Sequence, residues 1–134
     1  MDIKKEKILC QKQWAKNKYL VLSYSSKIYL EIRTYLKQEE VSLEKVDKLI
    51  KQAINLPEDK GQVTNALHHV WGYFKKSATK EEKDNFFELI EDYHINKTTK
   101  EDLIEEVKKL LEKYPNTYVE QSTFINGGKD ETLA

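Results

Sequence analysis

Apolar side chains recur at every third or fourth position along most of the chain, and this spacing limits the fold more than any other feature of the sequence. An α-helix turns once every 3.6 residues, so the spacing puts these side chains on one face of a helix. The pattern extends over about 14–36, 43–53, 63–74, 86–93 and 103–114. With 4 glycines and 2 prolines, the chain favours helices joined by short polar connections over a sheet of hairpins. The sequence therefore predicts an all-α fold.

Three of the predicted helices begin at recognisable capping residues. Thr79 with Glu82, and Thr99 with Asp102, have the capping-box arrangement, in which a hydroxyl is followed three residues later by a carboxylate. Ser42 precedes another apolar stripe and is a predicted N-cap. Each of these helices is expected to begin at the residue after its cap.

The basic N-terminal region, residues 3–37, is predicted to be helical, either as one long helix or as two helices broken near Asn17. Periodicity alone is compatible with both. A further helix is predicted over residues 60–77. Residues 116–125 are expected to form one more short turn that docks Tyr118 back on the bundle. The whole is a predicted bundle of about five to six helices.

The length and composition fit one domain. The chain has 134 residues, of which 39% are hydrophobic, and this suffices for one core. We predict a single-domain helical bundle over residues 1–125 and a flexible C-terminal tail over residues 126–134. The residues expected in the core lie on the helical stripes and are Trp14, Ile32, Leu49, Leu67, Val70, Phe74, Phe86, Ile90, Val107 and Leu111.

The sequence also predicts a soluble, cytoplasmic protein without a membrane role. Charged residues make up 34% of the chain, and no apolar run approaches the roughly 20 residues that span a bilayer. The charged N-terminus is not followed by the apolar segment of a secretory signal. The single cysteine, Cys10, excludes an internal disulfide and a zinc site built from cysteines, and we expect it to be a small core residue.

The net charge of zero conceals an uneven distribution of charge along the chain. Residues 1–37 contain nine basic and three acidic side chains, a net charge of +6, and residues 60–80 contain four basic and no acidic ones. The acidic residues are concentrated in 38–59 and 81–120. If the two basic segments pack side by side, a neutral protein presents a positive face. The alternative is that these lysines only solvate their helices.

The segment from Asn65 to Lys76 is the most informative for function. On a helix, Asn65, His69 and Lys76 fall together beside the apolar stripe with Tyr73 at its margin, and such a face suits an anion or a base. Gly72 inside a helix costs about 1 kcal/mol relative to alanine. Close helix packing or a close ligand would offset that cost.

No metal site, cofactor or catalytic residue is predicted. His68 and His69 point about 100° apart on a helix and so do not chelate one ion together. His94 has no acid or thiol at a ligand spacing. Nothing in the spacing requires Cys10 to meet a histidine as a nucleophilic pair.

Tyrosines accompany the lysines of the N-terminal region. Tyr19 is suited to stack on an unpaired base while a neighbouring lysine meets phosphate, as in single-strand binding. The alternative is that Tyr19 packs at the edge of the core with its hydroxyl in water. Tyr29 and Tyr35 lie on the apolar stripe and are expected in the core.

Three segments together resemble the YbgA-like domain, a bacterial domain of unknown function. The specific motif has the form N-x-x-x-H-x-x-G-Y-F, and the resemblance covers nearly the whole chain. The matching residues are Gln13, Trp14, Lys18, Tyr19 and Tyr29, then Asn65, His69, Gly72, Tyr73, Phe74 and Lys75, and finally Tyr114, Pro115, Tyr118 and Gln121.

The resemblance implies an accessory role. Members of the family occur alone or joined to a thiouracil-desulfurase-type domain that carries cysteine-bound iron–sulfur chemistry, and a chain with one cysteine resembles the stand-alone form. The association implies recognition of thiolated nucleotides or transfer RNA, with a desulfurase as partner protein. Tyr24 and Lys109 stand where the family often has histidine, which implies a partial loss of function if those histidines act.

These observations lead to one hypothesis and two alternatives. The hypothesis is a non-catalytic module that recognises transfer RNA or nucleotides in sulfur-modified uridine metabolism. The alternatives are a small enzyme that acts on a phosphorylated or nucleotide substrate at His69, Tyr73 and Lys75, and a protein-interaction adaptor. The candidate binding residues are Trp14, Lys18, Tyr19, Asn65, His69, Gly72, Tyr73, Lys75 and Lys76.

Overall fold

The computed structural model describes residues 2–127, which form eight α-helices and contain no β-strand. The helices are α1 (Ile3–Tyr24), α2 (Ser26–Tyr35), α3 (Leu43–Ile54), α4 (Lys60–Trp71), α5 (Lys80–His94), α6 (Lys100–Lys113), α7 (Thr117–Glu120) and α8 (Thr123–Asn126). The predicted all-α fold is confirmed. The count exceeds the predicted five to six because α7 and α8, each of 4 residues, form where one short turn was expected. Residues 128–134 of the predicted tail lie outside the described residues.

The predicted capping residues begin α3, α5 and α6. The Ser42 side chain accepts a hydrogen bond from a backbone amide in the first turn of α3. Thr79 with Glu82, and Thr99 with Asp102, form complete capping boxes. Side chains close in sequence thus satisfy amides that the helix itself leaves without partners, which is why these starts were predictable.

The N-terminal region forms two helices that meet at Ser25, and not near Asn17. Ser25 has an extended backbone, with φ of −159° and ψ of 110°, and its side chain accepts a hydrogen bond from the Ile28 amide. The Gln62 side chain of α4 accepts a second one from the Ser26 amide at 2.8 Å. A residue distant in sequence therefore helps to start α2, and periodicity along the chain does not register such a contact.

α4 ends at Trp71, earlier than the predicted end at residue 77. The chain continues as tight turns, closed by bonds such as that from the Tyr73 amide to the Val70 carbonyl at 3.0 Å. Gly72 lies at the end of α4, where an added Cβ would come within 3.1 Å of the His69 carbonyl oxygen. The glycine therefore serves a close backbone approach at a helix end, and it is not the mid-helix residue that we expected.

The core consists of two clusters of buried side chains, and α1 contributes to both. The first cluster joins α1 to α4, α5, α6 and the two short C-terminal helices, and the second joins α1 to α2 and α3. Cys10 is fully buried in the second cluster, as predicted. Eight of the ten predicted core residues are buried, but Trp14 and Leu49 are only partly buried. The predictions for Trp14 and Leu49 were wrong because both side chains pack at the edge of the second cluster.

A buried polar contact joins α8 to α1. The Thr123 hydroxyl donates to the Asn17 side-chain oxygen at 2.7 Å, and the Asn17 amide group donates to the Gln13 carbonyl at 2.9 Å. Asn17 and Thr123 are both buried. Asn17 directly precedes Lys18 in the sequence. Its contact with Thr123 therefore holds the C-terminal helices next to Lys18, which belongs to the candidate site.

Candidate functional site

Three tyrosines from distant parts of the sequence meet at one place, which we call the tyrosine cluster. Tyr19 belongs to α1, Tyr73 to the turn after α4, and Tyr118 to α7. The ring centroids lie 6.1 Å apart for Tyr19 and Tyr73, 6.5 Å for Tyr19 and Tyr118, and 5.9 Å for Tyr73 and Tyr118. The hydroxyls of Tyr19 and Tyr73 are 2.7 Å apart and form a hydrogen bond.

The ammonium group of Lys18 lies against the tyrosine cluster. Its Nζ is 5.2 Å from the centroid of the Tyr19 ring and 5.1 Å from that of Tyr118, within cation–π range. Burial lowers the pKa of Lys18, but the adjacent phenol of Tyr118 and the nearby phenols of Tyr73 and Tyr29 outweigh it, so the pKa lies above its usual value. Lys18 is therefore a cation at neutral pH.

The three rings differ in exposure. Tyr19 is 6% exposed, whereas Tyr73 is 38% exposed and Tyr118 is partly buried. Burial, followed by the hydrogen bond with Tyr73, strongly raises the pKa of Tyr19, so this phenol stays protonated. Tyr19 is thus enclosed, and Tyr73 and Tyr118 retain surface that a ligand can reach.

Local structure explains how each part of the tyrosine cluster is held. The tight turn at Gly72 ends α4 and places Tyr73 beside α1. Asn116 caps α7 by accepting a hydrogen bond from the Val119 amide at 3.0 Å, and this single turn carries Tyr118. The contact between Thr123 and α1 then fixes α7 and α8 on the bundle.

Trp14 and Tyr29 extend the aromatic surface next to the tyrosine cluster. Their ring centroids are 5.3 Å apart, with a tilt of 48° between the planes. Tyr29 also lies close enough to affect the pKa of both Lys18 and Tyr19. Trp14 precedes Lys18 by four residues on α1, so both lie on the same face of that helix.

The other predicted site residues are exposed. In residues 2–127, Asn65, His69, Lys75 and Lys76 make no side-chain hydrogen bond, ion pair or ring contact. His69 lies on α4 one helical turn before Tyr73, and Lys75 and Lys76 follow Tyr73 directly. The structure thus brings Lys18, Tyr19 and Tyr73 into contact. The four other side chains are accessible and belong to the same stretch of sequence as Tyr73.

Tyr118 is the site residue that our sequence reasoning missed. We expected it to dock on the bundle, and its ring also completes the tyrosine cluster. Tyr29 was expected in the core, and it lies partly buried between the two clusters of the core. The one sequence signal for both was their place among the residues that match the YbgA-like domain.

His68 and His94 take part in separate contacts. His68 packs edge-on against Phe87 at 5.3 Å between centroids, and the His94 ring lies 2.9 Å from the Thr64 hydroxyl. Within the described residues, no three His, Cys, Asp or Glu side chains come together as a metal site would require.

The two positions that depart from the resembled pattern pair with other residues. The Tyr24 ring lies 5.2 Å from the Lys100 Nζ, and Lys109 lies 3.9 Å from Glu106. Neither position contributes to the contacts that hold the tyrosine cluster together.

Comparison with known proteins gives a family. No curated protein and no solved structure matches the chain. Among the described residues, no helix is long and apolar enough to cross a membrane. The family model described as "Protein of unknown function (DUF1722)" matches residues 18–127, a span that holds Lys18 and all three residues of the tyrosine cluster. Since this match covers most of the chain and is consistent with the YbgA-like resemblance, the protein belongs to the DUF1722 family.

Proposed function

We propose that this protein is a non-catalytic module that recognises RNA, with transfer RNA or its nucleotides as the ligand. The observation that supports the proposal most directly is the position of two accessible tyrosine rings, Tyr73 and Tyr118, beside the ammonium group of Lys18. Aromatic rings next to lysines are the usual means by which proteins hold unpaired nucleotides.

The charge distribution supports the same function. α1, from the segment with a net charge of +6, packs against α4, from the segment with a net charge of +4. Residues 81–120, which include α5 and α6, contain twelve acidic and six basic side chains. The basic side of a neutral protein would then attract the phosphate backbone, and the acidic side would not.

The geometry changes which ring we expect to contact a base. Tyr19 is enclosed by the other two tyrosines and is 6% exposed, so the expected stacking of a base on Tyr19 is not part of the proposal. Tyr73 is exposed and Tyr118 is partly buried, so a base would contact these two rings rather than Tyr19. The link to sulfur-modified uridine, with a desulfurase as partner protein, remains part of the proposal and rests on the resemblance alone.

Binding of labelled transfer RNA, measured by fluorescence anisotropy over a range of salt concentrations, tests the proposal. Replacing Lys75 and Lys76 by Gln should reduce the slope of log affinity against log salt by about 0.7 for each lysine that contacts a single strand. The matched control is the same double change at Lys83 and Lys97, exposed lysines of the acidic half, which should leave the slope unchanged.

Two results would contradict the proposal. One is the absence of binding at low ionic strength, where electrostatic attraction is strongest. The other is an equal reduction of the salt slope in both double variants, since this would mean that RNA is attracted to the protein without binding a defined face. In either case the enzyme acting on a small phosphorylated substrate and the adaptor become the better hypotheses.

A further inference from the structure

The direction of the hydrogen bond between the Tyr19 and Tyr73 hydroxyls follows from burial. Tyr19 is 6% exposed, and within the described residues the hydrogen-bond partner of its hydroxyl is the Tyr73 hydroxyl at 2.7 Å. A buried hydroxyl hydrogen needs an acceptor, because leaving it without one costs free energy. Tyr19 therefore donates to Tyr73. The hydrogen of the Tyr73 hydroxyl is then directed away from Tyr19.

The Tyr118 hydroxyl is also available to a ligand. No hydrogen bond to the Tyr118 hydroxyl forms within the described residues, and the Lys18 Nζ lies 5.1 Å from the centroid of the Tyr118 ring. The Tyr118 hydrogen is thus also left for a group outside the protein. Two neighbouring phenols, whose ring centroids are 5.9 Å apart, thus both offer a donor outward.

A pair of outward donors beside a cation suits one class of ligand group. Uncharged donors and an adjacent ammonium group complement an oxygen-rich anion, whereas a ring that only stacks does not need its hydroxyl. Exposed lysines at positions 75 and 76 add positive charge near Tyr73 in the sequence. Phosphoryl oxygens are the acceptors that RNA and nucleotides supply in greatest number.

We infer that Tyr73 and Tyr118 form a two-donor subsite for a phosphoryl group, with Lys18 as its cation and Tyr19 as the residue that orients the Tyr73 hydroxyl. This inference rests on the proposed function and specifies which part of the ligand the tyrosine cluster holds. The phosphoryl group is either an internal phosphodiester or a terminal phosphate.

Removal of single hydroxyls tests the subsite. Tyr73→Phe and Tyr118→Phe keep the rings and remove the donors, so each should weaken binding of a labelled single-stranded oligoribonucleotide by about tenfold or more. The salt slope should stay unchanged, because a phenol releases no counterion. Tyr24→Phe is the matched control and should bind as the wild type does. Inorganic phosphate should compete with the oligonucleotide more strongly than chloride at equal ionic strength.

The arms of the experiment separate the outcomes. Stronger binding of an oligonucleotide with a 5′-phosphate than of one with a 5′-hydroxyl assigns the subsite to a terminal phosphate, and equal binding assigns it to an internal one. If Tyr73→Phe and Tyr118→Phe bind like the wild type while Tyr73→Ala and Tyr118→Ala do not, the rings only stack. The subsite is then wrong, and the proposed RNA recognition still stands.

A failure of RNA binding is distinguished by a titration with inorganic phosphate alone. Phosphate should shift the backbone amide resonances of Lys18, Tyr73 and Tyr118 in the wild type, and this response should be lost in Tyr73→Phe. If RNA does not bind but these shifts occur, the subsite stands and the RNA function fails. If neither is seen, both are wrong.

Discussion

The contact between Thr123 and Asn17 allows a quantitative test of how the C-terminal helices are held against the site. Thr123→Val keeps the shape of the side chain and removes the hydroxyl that donates to the Asn17 side-chain oxygen at 2.7 Å. Asn17 is 2% exposed, so water does not replace the lost donor easily. Leaving a buried acceptor without a partner costs about 1–3 kcal/mol, and we expect a loss of about 2 kcal/mol in the free energy of unfolding.

Urea denaturation followed by helical circular dichroism measures this loss. A loss of about 2 kcal/mol corresponds to a fall of roughly 1 M in the urea midpoint and, for a domain of this size, of about 8 °C in the melting temperature. The control is Thr117→Val, at an exposed position at the start of α7, which should change the free energy by less than about 0.5 kcal/mol.

A double variant sharpens the test. Combining Thr123→Val with Asn17→Leu removes both polar partners, and part of the lost stability should return because no buried acceptor is then left without a donor. The reasoning would be refuted if Thr123→Val were as stable as the Thr117→Val control. It would also be refuted if the double variant lost the full sum of the two single losses.

Two further predictions concern α4 and the start of α5. Gly72→Ala should destabilise the protein by about 1 kcal/mol in urea denaturation, because its Cβ would lie 3.1 Å from a backbone oxygen. Gly61→Ala should cost less, because its Cβ would lie 3.3 Å from a side-chain oxygen, that of the N-cap Asp59, which yields more easily than backbone. Equal effects of the two changes would contradict this explanation. Hydrogen bonds, foremost that from Tyr114, lower the pKa of Glu82 to about 2. At a pH above its ordinary pKa near 4.3, the Glu82 carboxylate therefore stabilises the folded protein. This stabilisation is lost as the pH falls through about 4 to 2. At pH 7 the urea midpoint of Glu82→Gln should therefore lie below that of the wild type, and near pH 2 the two midpoints should be equal. A difference between the midpoints that does not change with pH would rule out this explanation.

Local interactions made part of the fold predictable. The spacing of apolar residues indicates helices, and the caps at Ser42, Thr79 and Thr99 act within one turn of the chain. The break at Ser25 and the end of α4 at Trp71 were missed. The first depends on the Gln62 side chain from another helix, and the second on a tightened turn at a helix end.

The candidate site shows the same division. Lys18, Tyr19 and Tyr73 were identified from charge, aromatic content and the resembled motif, all of which are properties of the sequence. Pattern alone predicted only that Tyr118 docks on the bundle, because its place in the site depends on how α7 and α8 pack on α1.

The sequence by itself determined the helical class, the starts of α3, α5 and α6, and the separation of basic from acidic segments, since these depend on neighbours along the chain. Only the tertiary structure decided that Tyr19 is enclosed while Tyr73 and Tyr118 remain accessible. The same is true of the hydrogen bond between the Tyr19 and Tyr73 hydroxyls. The burial of Tyr19 and the partner of its hydroxyl depend on residues 54 or more positions away in the sequence, and a local sequence pattern does not indicate such contacts.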